Sequence, residues 1–184
     1  MDAITHRHPL STAPIVPERF AHFVLRTSNL KPMRDWYKTV LAARIVFEDE
    51  RLCFLTYDEE HHRLALINVP GLQAPTETTW GLAHTAYSYA TLRDLLSTWK
   101  RLKQKGIEPY RPINHGPTVS MYYKDPDGNA VELQVDAYPT KEAAAGFFDT
   151  DAFRQNPIGV PFVPEELAAA FEAGVPEEDL LRRP

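Results

Sequence analysis

The chain has 184 residues and a mass of 20.9 kDa, which fits one domain with tails. At 43% hydrophobic and 11% aromatic it has the means to bury a core, and disorder throughout is excluded. The net charge of −5 arises in residues 139–184, where nine acids face four bases, so no basic stripe is available for nucleic acid.

There is no run of 18 apolar residues to cross a membrane, and the start MDAITHRHPLSTAP carries no apolar leader core. Cys53 is the single cysteine, so no internal disulfide and no cysteine-based metal site is expected. A soluble, cytoplasmic protein is the expectation.

Residues 1–17, with Pro9, Pro14 and Pro17, read as an extended arm. Phe20 to Leu25 alternates as a strand would. A helix is predicted near Leu30 to Leu41, with Met33, Trp36, Tyr37 and Val40 on one face and Ser28 or Asn29 as its cap. Three strand-like runs follow: Ala43 to Phe47, Leu52 to Tyr57 and Arg63 to Val69. The same order then repeats. Leu82 to Tyr89 reads as a strand. Thr91 caps a helix with Asp94 three residues on, Leu92, Leu95, Leu96, Trp99 and Leu102 form its apolar stripe, and Gly106 ends it. Strands are predicted at Pro109 to Ile113, Val119 to Lys124 and Ala130 to Val135, with Asp125-Pro126-Asp127-Gly128 turning between the last two. From Pro139 onward the chain reads as a C-terminal extension with one short helix, Glu165 to Ala173.

Residues 18–138 thus hold two βαβββ modules, about 18–70 and 80–138. The expected class is α+β: one curved, partly closed mixed sheet with helices outside. Because His84 follows His22 by 62 residues, both are placed in the middle of the first strand of their module, facing across a cavity. Glu132 stands between Val131 and Leu133 on the last strand, where a buried carboxylate is costly unless a positive group meets it. A divalent metal held by His22, His84 and Glu132 removes that cost. Two imidazoles and one carboxylate make the facial triad of non-haem Fe(II) oxygenases, which leaves adjacent positions for two catechol oxygens and O2.

The stretches FAHFVLRT (20–27), EHHRLALINV (60–69), GLAHTAYS (81–88) and NHGPTVSMYYKDPDGNAVELQVD (114–136) resemble the vicinal oxygen chelate superfamily of glyoxalases, bleomycin-resistance proteins and type I extradiol dioxygenases. The last stretch is similar to the extradiol signature in its spacing of His115, Met121-Tyr122, Asp125-Pro126, Gly128 and Glu132. The resemblance implies His22, His84 and Glu132 as iron ligands, His62 as the acid–base histidine, and His115 and Tyr122 as groups near the substrate hydroxyls. His62, next to His61 on a strand, is expected to point to the opposite face from it.

The resemblance implies Fe(II)-dependent meta cleavage of a catechol-type diol, with Mn(II) accepting the same ligands. The module-one counterpart of Glu132 falls in Arg63 to Val69, which has no carboxylate, so a four-ligand isomerase site is not expected. A glyoxalase-like isomerase or lyase, and a non-catalytic protein binding aromatic compounds or antibiotics, are the alternatives. No nucleic-acid or membrane partner is expected, and homo-oligomerisation is open. Cys53 reads as core. His6 and His8 read as residues of the arm. Phe147, Phe148, Phe153 and Phe162 suggest that the extension folds back, over the pocket mouth or onto a second subunit.

Overall fold

A computed structural model describes residues 10–76 and 78–184; His6 and His8 lie outside them. The first module contains β1 (Phe23–Thr27), α1 (Leu30–Val40), β2 (Arg44–Glu48), β3 (Leu52–Thr56) and β4 (Leu64–Asn68). The second contains β5 (His84–Tyr89), α2 (Leu92–Lys103), β6 (Arg111–Asn114), β7 (Thr118–Lys124) and β8 (Ala130–Asp136). Each βαβββ unit follows the predicted order and makes its own mixed sheet. The orders are β1-β4-β3-β2 and β5-β8-β7-β6, with β1–β4 and β5–β8 parallel and the other pairs antiparallel.

The helices join the modules. Met33, Tyr37 and Val40 of α1 and Leu92, Leu95 and Leu102 of α2 are fully buried in one apolar cluster with Leu64, Leu66, Met121 and Leu133 from the strands. Each such side chain contributes about 1.5–3 kcal/mol by leaving water. Polar bonds fix the joint. Tyr37 donates its hydroxyl to Asp125 Oδ2 at 3.0 Å, and Arg101 donates to the Thr39 and Val40 carbonyls at the end of α1. Thr91 caps α2 as expected, its hydroxyl accepting from the Asp94 amide. Asn29 occupies the N-cap of α1 but makes no side-chain cap; its amide instead donates to Asp127 Oδ1, across the modules, at 2.7 Å.

The extension is more structured than one helix. It forms α3 (Lys141–Gly146), a 3-10 turn (Phe147–Asp149), α4 (Asp151–Gln155), β9 (Val160–Pro161), α5 (Pro164–Glu172) and α6 (Glu177–Leu181). The two-residue β9 pairs antiparallel with β6, extending the second sheet to five strands, while Phe162, Leu167 and Phe171 pack onto the common core. The short α3 and α4 carry no long apolar stripe; their Thr140 and Thr150 caps are the local signals that hold them. The phenylalanine-rich tail therefore folds back on its own second module.

Candidate active site

The site is built on the second sheet. His84 is the first residue of β5, and His22 lies just ahead of β1; neither occupies a strand centre, as the sequence had suggested. The alternation of β5 buries Tyr87 and Tyr89 more than their neighbours and leaves His84, Ala86 and Ser88 on the open face. Ala86 pairs with Glu132 on β8, and Glu132 pairs with Tyr122 on β7, so these residues share that face. Glu132 is buried at 4% exposure, and its Oε2 lies 3.0 Å from His84 Nε2. The Tyr122 ring stands edge-on to His84, with ring centroids 5.4 Å apart. Burial, then the neighbouring Glu132 charge, pushes the Tyr122 phenol well above its ordinary value, so it remains a proton donor.

His115 follows β6 at the hairpin to β7, and its Nε2 is 3.0 Å from the Tyr122 hydroxyl. Its Nδ1 bonds the carbonyl of Ile158 in the extension. A carbonyl only accepts, so Nδ1 carries a proton; in the neutral ring Nε2 then accepts from the Tyr122 hydroxyl. Polar contacts thus run from the extension through His115 to Tyr122, whose ring stands beside His84 of the Glu132–His84 pair.

The first module contributes a second group. His22 stacks obliquely on His62 with ring centroids 4.3 Å apart, and His62 also stacks on Phe54 at 4.7 Å. His61 and His62 lie in the bend before β4, not on a strand, and their Nδ1 atoms are 2.6 Å apart, so they do not take opposite faces. A bend frees side chains from the two-residue alternation that the sequence argument assumed. Burial, then the charges of His22 and His61, lowers the pKa of His62 and favours its neutral form.

A divalent ion has a good foothold at His84 and Glu132, where an imidazole nitrogen and a buried carboxylate oxygen converge. His22 stands with His62 instead. Among the described residues, no three His, Cys, Asp or Glu side chains are grouped closely enough to hold one ion. The facing edges of β1 and β5 border a cleft of about 580 Å³, lined by Val24, Arg26, Trp80, His84 and Asp127. The register also tests the fourth-ligand argument. Val24 pairs with Ala65 as Ala86 pairs with Glu132, and Val24 precedes Ala86 by the offset that separates His22 from His84. Ala65 therefore occupies the place of Glu132, and the first module offers no carboxylate there.

Residues 19–133 match the model of the Glyoxalase/Bleomycin resistance protein/Dioxygenase superfamily. The chain belongs to this superfamily. It is 49% identical over 170 residues to biphenyl-2,3-diol 1,2-dioxygenase 3 of Rhodococcus globerulus, covering 91% of this chain and 90% of that one. It is 50% identical over 159 residues to biphenyl-2,3-diol 1,2-dioxygenase 2 of the same organism, covering 86% and 84%. In fold it resembles a glyoxalase/dioxygenase from Nostoc punctiforme, with a TM-score of 0.55 and 20% identity over 68% of this chain and 99% of that one.

Sequence reasoning missed the parts of the site supplied by the extension: the Ile158 carbonyl and the Asn156 and Arg183 side chains around it. A backbone carbonyl leaves no mark in residue type.

Proposed function

We infer that this chain is an extradiol dioxygenase, cleaving a catechol-type ring next to its vicinal hydroxyls with O2. The observation that carries the reading is the His115–Tyr122–Glu132–His84 constellation on one sheet face, in a superfamily member about half identical to two biphenyl-diol dioxygenases. The absence of a carboxylate at Ala65 favours this reading over a four-ligand isomerase.

His84 and Glu132 would hold the divalent ion, and His22 is the proposed third protein ligand. Fe(II) is the proposed metal; when bound, it supplies a Lewis acid that acidifies the diol and a centre at which substrate and O2 meet. The protein's own groups do the rest. His62, held neutral, would accept a hydroxyl proton from the diol and return it to a product oxygen as the ring opens. Tyr122, held protonated with its proton directed at His115, presents its oxygen to accept a hydrogen bond from a substrate hydroxyl. His115 accepts from Tyr122 and so fixes the direction of its O–H. Phe54 and Phe47, with ring centroids 5.7 Å apart beside His62, offer an apolar wall for the ring.

The test is replacement of His62 by alanine, measuring bound iron and O2 consumption with 2,3-dihydroxybiphenyl. Retained iron with most turnover lost is the expected result. Full turnover in that variant removes His62 from the reaction.

A further inference from the structure

The extension converges on the three residues Asn114–Gly116 from four directions. Asn114 donates its side-chain amide to the Leu181 carbonyl at 3.0 Å, and Arg183 donates to the His115 carbonyl at 3.4 Å. The Phe147 ring fills the space where a side chain on Gly116 would stand, 2.2 Å from an added Cβ. Gly159, with φ +121°, brings its backbone so close that an added Cβ would lie 2.4 Å from the Asn114 carbonyl oxygen. This approach puts the Ile158 carbonyl on His115 Nδ1.

Asn156 holds that carbonyl in place. Its Oδ1 accepts from the amides of Ile158 at 3.1 Å and Gly159 at 2.9 Å, and its Nδ2 donates to the Gly159 carbonyl at 2.8 Å. Arg183 closes the loop from outside by donating to the Asn156 carbonyl at 2.8 Å. The loop is pinned at these points, and the ring that it bonds is that of His115.

We propose that the C-terminal extension, through Asn156 and the Ile158 carbonyl, sets the tautomer of His115, and that Asn156 is a positioning residue for the reaction. Neutral imidazole carries one proton. With it on Nδ1, Nε2 is an acceptor, and the Tyr122 hydroxyl must point its proton at His115. With it on Nε2, His115 would donate to Tyr122 and the phenol proton would turn elsewhere, toward Glu132 or the substrate. The extension thereby chooses which way the hydrogen-bond chain runs into the site. The consequence for catalysis rests on the dioxygenase reading. The tautomer does not, and the experiment separates the two.

The experiment is nitrogen NMR of the full chain labelled with 15N-histidine, with the His115 resonances assigned by comparison with His115→Gln. The wild type is expected to show His115 as the Nδ1–H tautomer. Asn156→Ala is expected to shift the tautomer ratio toward Nε2–H by roughly tenfold while far-ultraviolet circular dichroism is unchanged. Asn156→Asp, which keeps the acceptor for the two amides, is expected to retain the wild-type tautomer. With diol and iron, Asn156→Ala should lower kcat by roughly tenfold and change KM less. An Nε2–H tautomer in the wild type, or an unchanged Nδ1–H tautomer in Asn156→Ala, overturns the proposal. A shifted tautomer with wild-type kcat overturns the positioning role alone.

Discussion

Glu132 Oε2 lies 3.0 Å from His84 Nε2, and of the two side chains only the glutamate is buried. A carboxylate enclosed by β5, β7 and β8 cannot be left alone without cost, so the pair should reveal itself in stability. His84→Ala is expected to destabilise the metal-free chain by about 1–3 kcal/mol in denaturant unfolding. Replacing Glu132 by Gln in the same chain should recover much of that loss, because the stranded charge is removed. A double variant no more stable than His84→Ala contradicts the pairing.

Metal binding should need all three proposed donors. His22→Ala, His84→Ala and Glu132→Ala are each expected to lose iron during gel filtration, whereas His115→Gln and Tyr122→Phe should keep it. Metal analysis of the purified variants decides the matter. Wild-type iron content in His22→Ala would remove that histidine from the ligand set.

Asp125 supplies a pH test away from the metal. Its carboxylate accepts from Tyr37, from the side chain of Asn129 and from the amides of Asp127 and Asn129, yet burial outweighs these bonds and raises its pKa. The folded chain therefore binds this proton more tightly than the unfolded chain does. The stabilisation is complete below the unfolded value of about 3.9 and is lost as pH rises through the folded value. Unfolding of the wild type and of Asp125→Asn should accordingly diverge with pH, the wild type losing ground to the variant as the carboxyl ionises. Parallel pH profiles would contradict the raised pKa.

Tyr37→Phe leaves Asp125 buried with one donor fewer and cuts a bond between the modules. It is expected to cost about 1–2 kcal/mol, measured by denaturant unfolding. A variant as stable as the wild type would mean that the bond adds nothing to the joint.

The two modules were legible because their signals are local. Periodic Leu and Trp on α2, Thr91 three residues before Asp94, and the Asp125–Gly128 turn each determine structure within a few residues. Glu132 was legible because a carboxylate between valine and leucine must face something polar. The assembly of the site was less accessible. Alternation places His61 and His62 on opposite faces only if they lie in a strand, and the bend before β4 breaks that premise. Equal spacing put His22 and His84 at equivalent positions, but it says nothing of the distance between two separate sheets. The polar chain into His115 depends on β9 pairing with β6, a contact between residues 113–114 and 160–161 that no local pattern announces.

The most direct test of the central claim is O2 uptake by the full chain reconstituted anaerobically with Fe(II), using a panel from catechol to 2,3-dihydroxybiphenyl. Extradiol cleavage predicts iron-dependent consumption of O2 with at least one diol and a yellow ring-opened product. Stoichiometric iron with no uptake on any diol would contradict it.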